Sequence, residues 1–199
     1  MSGLEPAVIK TGPVMKTLPT TLPGVVLLEL DVFGDARGRF METFRRERYL
    51  EFGVAVGLDF VQDNFSSSVK NTLRGLHYQL EFPQGKLVHV TRGEVFDVAV
   101  DIRRGSPTFG QWFGTLLSAG NHRQLWLPPG FAHGFVVTSD EAHFSYKCTA
   151  NYVGSDDRSL KWDDPELGIT WPLDGEPLLS KRDIAAPGLR DAQLPSYVP

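Results

Sequence analysis

Five histidines are the side chains of this sequence best suited to chemistry near neutral pH, because the unperturbed pKa of imidazole lies there. Two of them have distinctive surroundings. His77 lies in residues 74–79 (RGLHYQ), after a predicted loop, and His133 lies in residues 129–134 (PGFAHG), at the start of a predicted strand. The others lie in apolar strand runs or a polar turn and are interpreted as structural: His89, His143 and His122.

Two histidines in a small β protein suggest a metal site, but their spacing argues against one. A facial triad or three-histidine site uses two ligands two residues apart on one strand and a third further along. The residue two after His77 is Gln79, a weak ligand, and adding Glu81 still leaves a poor ligand set. The single cysteine, Cys148, excludes a zinc site made of clustered cysteines. We predict no metal.

The region around His77 supplies an acid, a base and cations instead. Arg74 and Lys86 flank His77 in sequence, and Tyr146 precedes a second lysine, Lys147. A neutral imidazole takes up a proton near pH 7, a lysine stabilises a developing enolate oxygen, and a tyrosine hydroxyl returns a proton. This set suits proton abstraction beside a carbonyl. Spacing alone leaves open a second reading, in which the lysine and the tyrosine lie on solvated strand faces.

Many short strands are predicted to position these groups. The chain has 199 residues with 20 glycines and 14 prolines, a composition that favours turns over long helices. Residues 86–90 and 95–101 alternate around Gly93, which predicts a β-hairpin. A helix of about two turns is predicted for residues 44–52. Further strands are predicted at residues 25–30, 109–117, 124–127, 134–137 and 143–149. An antiparallel sandwich or barrel follows.

Length and composition predict one domain over residues 1–199. We divide it into an N-terminal arm (1–21), a central body (22–190) and a tail (191–199). The arm is interpreted as a loose extension, and the Pro-rich segment after Pro165 as chain that wraps the barrel. The single cysteine and the lack of an apolar run of ~20 residues predict a cytoplasmic protein. A net charge of −4 argues against nucleic-acid and anionic-membrane partners.

Ordered motifs then point to a family. They are RGLHYQ (74–79), QGK (84–86), DVAVDIR (97–103), GSPTFG (105–110), QLWLPPGFAHGF (124–135), YKCT (146–149) with Tyr152, and WDDP (162–165). From residue 22 to about residue 190 the chain resembles the dTDP-4-dehydrorhamnose 3,5-epimerases. The resemblance implies an all-β, cupin-type jelly roll (a double-stranded β-helix barrel) with a few short helices, a homodimer with shared active sites, and no metal or other cofactor.

The resemblance also implies a reaction and roles for residues. The substrate would be dTDP-4-keto-6-deoxy-D-glucose, inverted at carbons 3 and 5. His77 would be the base, oriented by Asp183 in the segment LSKRD (179–183); Tyr146 would be the acid on the opposite face, and Lys86 would stabilise the enolate. The residue before that aspartate is often lysine in the family and is Arg182 here, to which we assign no role.

The remaining site residues implied by the resemblance bind the sugar nucleotide. His133 would lie close to the sugar, Arg74 with Tyr152 would contact the diphosphate, and Glu42 would reach the neighbouring subunit's site. The nucleotide pocket would comprise Phe33, Arg37, Glu42, Gln62 and Asn64.

Three alternatives remain on the sequence. A single-position epimerase from another deoxysugar pathway would keep the same fold and base. A metal-dependent cupin oxygenase or isomerase would need a bound ion for activity. A non-catalytic cupin would bind the sugar nucleotide without exchanging its protons.

Overall fold

The computed structural model of the protein describes residues 15–198. Short strands dominate this range, and both helices are brief. The elements in chain order are β1 (Met15–Leu18), β2 (Val26–Leu30), β3 (Phe33–Asp35), β4 (Gly38–Phe40), α1 (Arg46–Glu51), β5 (Gln62–Val69), β6 (Leu73–Gln79), β7 (Lys86–Arg92), β8 (Glu94–Asp101), β9 (Trp112–Ser118), β10 (Arg123–Leu127), β11 (Phe131–Val137), β12 (Glu141–Cys148), β13 (Asp157–Ser159) and α2 (Lys181–Ile184).

Two antiparallel sheets face each other and form the barrel. The six-stranded sheet has the order β1-β2-β10-β7-β12-β5, and the five-stranded sheet has the order β13-β6-β11-β8-β9. Strands β3 and β4 form a separate hairpin. This architecture confirms the predicted jelly roll. The predicted helix at 44–52 is also confirmed, as the shorter α1.

The core between the sheets changes character along the strands. On β12, Phe144 is buried and stacks on Phe135 of the opposite sheet at 4.3 Å between ring centroids, and Tyr146 follows two residues later. On β7, Lys86 is the first residue, and buried Val88 and Val90 follow it on the same face. Because alternate residues of a strand share a face, each strand carries apolar side chains at one end of the barrel and polar ones at the other.

The outer face of the five-stranded sheet is covered as well. Leu167, Leu189 and Ala192 of the C-terminal segment pack against Val98 and Val100 of β8. The outer face of this sheet is therefore covered, and burying each large apolar side chain stabilises the fold by roughly 1.5–3 kcal/mol. The prediction that the Pro-rich segment wraps the barrel is confirmed.

The hairpin predicted around Gly93 is wrong. Strand β7 pairs with β10 and β12, whereas β8 pairs with β9 and β11, so the two strands lie in different sheets. Gly93 lies between them at φ +71°, and a Cβ there would overlap the carbonyl of Glu141. Glycine tolerates this backbone conformation, so the residue carries the chain from one sheet to the other instead of closing a hairpin.

The N-terminal arm differs from expectation where the structure describes it. Residues 15–18 are not a loose extension but strand β1, which pairs with β2 from Met15 opposite Leu30 to Leu18 opposite Leu27. Residues 1–14 of the predicted arm lie outside the described residues. Strands β5, β6 and β13 were not predicted. Among residues 15–198, no helix has the length and apolar character needed to cross a membrane.

Candidate active site

His77 and His133 lie side by side on the inner face of the five-stranded sheet. They are register partners on β6 and β11, and His133 stacks on Phe144 of the opposite sheet at 6.0 Å between ring centroids. Gly75 and Gly134 let the two strands approach closely at this point. A Cβ on Gly75, which has φ +117°, would come within 2.6 Å of the His133 carbonyl oxygen. Only glycine fits there, which explains the glycine before the predicted base.

The predicted base and its orienting aspartate are in contact. His77 Nε2 lies 2.6 Å from Asp183 Oδ1, and Ser180 caps helix α2 and donates to Asp183 Oδ2 at 2.8 Å. Burial alone would raise the pKa of Asp183, but the hydrogen bond and charge of His77 and the Ser180 hydroxyl outweigh burial and lower it. An ionised carboxylate only accepts, so Nε2 carries the proton and Nδ1 is the free basic nitrogen.

His133 forms a second His–Asp pair. Its Nε2 lies 2.9 and 3.1 Å from the two carboxylate oxygens of Asp97 on the neighbouring strand β8. Asp97 is completely buried and the His133 side chain is 9% exposed, whereas the His77 side chain is 31% exposed. The sequence placed His133 near the sugar but did not identify Asp97. The sequence offered one indication of Asp97: it alternates with Val95 and Ala99, two residues of the inner core, and therefore shares their inward face.

Lys86 lies on the six-stranded sheet, at the polar end of β7. None of the hydrogen bonds or ion pairs found among residues 15–198 involves its ammonium group. Burial lowers the pKa of Lys86, and the negative charges of Asp157 and Asp97 offset part of that effect. A lysine in such surroundings holds a cation in a site of low polarity, where it attracts a developing negative charge strongly.

Tyr146 lies beside Lys86 on the adjacent strand of the same sheet. In the β12–β7 register Tyr146 pairs with Val88 and Cys148 pairs with Lys86, so Tyr146 and Lys86 share the inner face. Burial is the main cause that raises the pKa of Tyr146. The phenol therefore stays protonated at neutral pH and is available as a proton donor.

The side chains predicted to bind the nucleotide split into two groups. Gln62 and Asn64 lie on the inner face of β5, opposite Cys148 and Tyr146; Gln62 Oε1 accepts a hydrogen bond of 2.7 Å from the backbone N–H of Tyr152. Arg74 shares a cavity of about 410 Å³ with His77 and Asp183. These residues are brought together at the polar end of the barrel.

The second group lies apart from the catalytic side chains. Phe33 and Arg37 belong to the exposed β3–β4 hairpin, where Arg37 pairs with Asp35 and its side chain is 90% exposed. Glu42 follows the hairpin and pairs with Arg48 at 3.1 Å. The hairpin lines a cavity of its own. Within residues 15–198, no hydrogen bond or ion pair joins Phe33, Arg37 or Glu42 to the catalytic set.

Asp157 is a further site residue that sequence reasoning missed. It lies on β13, which pairs with β6, and its side chain is 11% exposed. Asp157 Oδ2 accepts a hydrogen bond of 3.0 Å from the Tyr152 hydroxyl and pairs with Arg182. The signal available was weak, because Asp157 follows Asp156 in a polar loop. Across the described range 15–198, no three or more His, Cys, Asp or Glu side chains are arranged to hold a metal ion.

Known proteins share this sequence and geometry. A family model described as dTDP-4-dehydrorhamnose 3,5-epimerase matches residues 19–191. The dTDP-4-dehydrorhamnose 3,5-epimerase of Pseudomonas aeruginosa is 53% identical over 178 residues, which is 89% of this chain and 98% of that protein. A crystal structure of the dTDP-6-deoxy-D-glucose-3,5-epimerase of Legionella pneumophila with dTDP-4-keto-L-rhamnose has a TM-score of 0.91 and 50% identity, covering 93% of this chain and all of that one.

A relative with a narrower described activity is also similar. ChmJ, a 3'-monoepimerase from Streptomyces bikiniensis solved with dTDP-quinovose, has a TM-score of 0.84 and 38% identity, covering 90% of this chain and 92% of that one. The matches span almost the whole barrel, including the strands that carry both histidines. This chain belongs to the dTDP-4-dehydrorhamnose 3,5-epimerase family of isomerases.

Proposed function

We propose that this enzyme inverts carbons 3 and 5 of dTDP-4-keto-6-deoxy-D-glucose to give dTDP-4-keto-L-rhamnose. One observation carries the proposal: the base and the acid lie on opposing sheets. His77 is on the five-stranded sheet, and Tyr146 is on the six-stranded sheet across the barrel. Inversion removes a proton from one face of a carbon and returns one to the other face, so a sugar lying between the sheets meets both groups.

The first step uses His77 as the general base. Nδ1 takes the proton from a carbon beside the C4 ketone, and the electron pair of the C–H bond moves into an enolate. Asp183 accepts the Nε2–H bond, which keeps the imidazole in one tautomer and stabilises the imidazolium that forms. The carbons on both sides of the ketone are acidified by the same carbonyl, so one base serves both inversions.

Lys86 supplies the positive charge that stabilises the enolate. An α-proton of a ketone is weakly acidic, so the enolate needs a cation beside its oxygen. The Lys86 ammonium lies on the sheet opposite His77, with no carboxylate partner among residues 15–198 to neutralise it. Tyr146 then donates its hydroxyl proton to the enolate carbon from the face opposite the base, which leaves a phenolate. Before the next inversion the His77 imidazolium gives its proton to solvent and Tyr146 takes one from solvent, and no step calls for a cofactor.

The remaining polar groups bind the nucleotide. We assign the diphosphate to Arg74, whose exposed guanidinium lies in the same cavity as His77, together with Tyr152. Guanidinium groups bind phosphate oxygens in a bidentate manner. Gln62 and Asn64 on β5 provide polar side chains that bind the rest of the dTDP, and His133 contacts the sugar.

Deuterium exchange tests the reaction. Incubated with dTDP-4-keto-6-deoxyglucose in D₂O, the wild-type enzyme is expected to introduce deuterium at both carbon 3 and carbon 5, read by NMR of the sugar. His77→Ala is the matched control, expected to lose exchange while still binding dTDP. Exchange at neither carbon with the wild-type enzyme contradicts the proposal.

Single-position epimerisation is the second candidate, favoured by the similarity to the Streptomyces 3'-monoepimerase. It uses the same base and predicts deuterium at one carbon only. Tyr146 does not separate the two candidates, because inversion at a single carbon also needs an acid on the opposite face. The number of labelled carbons in the exchange experiment therefore decides between them.

We further propose a homodimer in which the β3–β4 hairpin completes the neighbour's site. Phe33 is 40% exposed and Phe40 is 70% exposed, so the hairpin offers aromatic side chains that nothing in the described chain covers. A second copy that buries them would bring Arg37 and Glu42 to the catalytic cavity. Such a dimer would explain why the predicted binding residues fall into two separate groups in one chain.

Mixed dimers test the shared site. The His77→Ala variant lacks the base, and the Arg37→Ala variant lacks a hairpin residue. Each homodimer is therefore expected to have low activity. Random mixing of the two subunits gives dimers with one intact site, and about a quarter of wild-type activity should return. No recovery after subunit exchange, confirmed by tagged co-purification, contradicts a shared site.

The single thiol supports a cytoplasmic location. Cys148 is free and buried beside Asn64, which donates to its sulfur at 3.5 Å. An enzyme with one unpaired thiol and a nucleotide substrate suits the reducing cytoplasm. We assign it there, and fractionation of the source cells with an antibody tests the assignment.

A further inference from the structure

Arg182 connects the segment that carries the orienting aspartate to strand β13. Its guanidinium makes three bonds to that strand: Nη1 pairs with Asp157, Nε donates to Ser159 Oγ at 2.6 Å, and Nη2 donates to the Arg158 carbonyl at 2.9 Å. All three acceptors lie on β13. A planar guanidinium presents its N–H groups in a fixed fork, so the three bonds together define both position and orientation.

Helix α2 needs such a connection. It spans four residues, Lys181–Ile184, and a single turn has too few internal bonds to be stable by itself. Asp183 directly follows Arg182 in this turn. Strand β13 pairs with β6, and Ser159 lies opposite His77 in the register. The guanidinium thus joins the turn that holds Asp183 to the strand beside the one that holds His77.

Asp157 is the counter-ion of Arg182 in this connection. Its Oδ2 accepts from both Arg182 and the Tyr152 hydroxyl, so one carboxylate holds the guanidinium and a residue assigned to the diphosphate. Burial alone would raise the pKa of Asp157, but the hydrogen bond and charge of Arg182 outweigh burial and lower it. The carboxylate therefore stays ionised and keeps both partners at neutral pH.

We propose that Arg182, with Asp157 as its counter-ion, is a positioning residue that fixes Asp183 against His77. Its effect on catalysis rests on the proposed epimerisation, whereas its effect on the His77–Asp183 hydrogen bond does not. The clamp acts through Asp183 and makes no contact with the reacting carbons. Loss of the fork lets the one-turn helix move, and the imidazole loses its fixed orientation.

Four variants test the clamp. Arg182→Ala removes the fork, Arg182→Lys keeps the charge but offers a single point of attachment, and Asp157→Asn removes the counter-ion with little change in shape. Arg190→Ala is the matched control, because it removes an arginine from the same C-terminal segment whose ion pair is with Glu166. Each variant is measured for kcat, for KM and for its thermal unfolding midpoint.

The second readout is the low-field proton NMR signal of the His77 Nε2–H bond, recorded without substrate. Asp183→Asn identifies the signal by removing it. Arg182→Ala is expected to broaden or abolish the signal and to lower kcat about 10- to 100-fold with KM nearly unchanged, since small displacements of a catalytic group cost rates of that size. Compared with Arg182→Ala, Arg182→Lys should recover part of the signal and part of kcat. Asp157→Asn should give values between those of the two Arg182 variants.

Other results overturn the clamp. If Arg182→Ala keeps the low-field signal and wild-type kcat, Arg182 does not position Asp183. If Arg190→Ala loses the signal as well, the effect is general destabilisation. Should Arg182→Ala fail to fold, Asp157→Asn and Arg182→Lys carry the same comparison. If the wild-type protein shows the signal but no deuterium exchange, the proposed function fails while the clamp is still tested.

Discussion

Two His–Asp pairs lie next to each other in this barrel, and they are built differently. In the His133–Asp97 pair, both residues belong to neighbouring strands of one sheet, and both are buried. In the His77–Asp183 pair, the histidine is on a strand and the aspartate is on a one-turn helix 106 residues later. The first pair is fixed by the sheet, and the second depends on tertiary contacts.

The difference separates two tasks. A pair that is almost fully buried is suited to forming a rigid wall and a fixed hydrogen-bond pattern beside the sugar. A base has to present a free nitrogen to the substrate and change its charge during the reaction, which suits the more exposed His77. The neighbouring position of the two histidines therefore does not make their roles equivalent.

The largest expected effect separates the histidines themselves. His77→Ala should lower deuterium exchange at both carbons by about 10³-fold, because general base catalysis contributes about 10² to 10⁴. His133→Ala should lower kcat/KM about tenfold and retain exchange, since it removes a contact to the sugar and not the base. Exchange measured by NMR for both variants decides the point; equal losses would remove the distinction between the pairs.

The aspartates should differ next. Asp183→Asn offers an amide donor to Nε2 and favours the wrong tautomer of His77, so kcat should fall about 100-fold, with a stability loss at neutral pH of about 1 kcal/mol. Asp97→Asn alters a completely buried group and should cost about 1–3 kcal/mol of unfolding free energy. Urea unfolding and steady-state kinetics on both variants provide the measurement. A stability loss for Asp183→Asn larger than that for Asp97→Asn would reverse the comparison.

The buried pair should also affect the pH dependence of the rate. In the proposed mechanism the Lys86 ammonium stabilises the enolate. Burial lowers the pKa of Lys86, so kcat should fall as pH rises through that lowered pKa, by about tenfold per pH unit. Asp97 raises the pKa of Lys86, so Asp97→Asn should move this alkaline limb to lower pH, whereas Asp183→Asn should leave it in place. A pH–rate profile of the three enzymes tests the difference.

The smallest expected effect concerns acid stability. The folded-state pKa of Asp183 is lowered, so its stabilising contribution is present above the unfolded pKa and is lost as pH falls through the folded value. Asp183→Asn should therefore unfold about 1 kcal/mol more easily at pH 7, and the difference from wild type should disappear as pH falls through the folded-state pKa of Asp183. Urea titrations at several pH values measure it. A constant difference across pH would show that ionisation is not its source.

Strand positions could be predicted from the sequence better than strand partners. Alternation located β7 and β8, but it does not state which strands pair, and Gly93 fits a tight turn as well as a crossing between sheets. Strand β6 escaped prediction because its register with β11 shifts between Arg74 and His77, so that buried Leu73 lies three residues before buried Leu76 and not two. Without a simple apolar face, the period-two pattern is lost.

The site shows the same limit. Motifs identified His77, Lys86 and Tyr146, and the structure places them at one end of the barrel. Asp97 and Asp157 were missed because their importance comes from what they contact across strands, which no local spacing records. Phe33 and Arg37 were predicted in the pocket, but they lie on an exposed hairpin apart from the catalytic side chains, and their part in a site depends on the proposed dimer.

The separation of His77 and Asp183 along the chain has a consequence for folding. Asp183 reaches His77 only when the C-terminal segment has packed on the barrel, because the one-turn helix that carries Asp183 is not stable by itself. The barrel strands can pair before the C-terminal segment has packed on the outer sheet, so a partly folded protein would hold its substrate-facing strands but lack a competent base. Recovery of activity during refolding therefore reports the docking of the last segment, and should lag behind the recovery of strand structure.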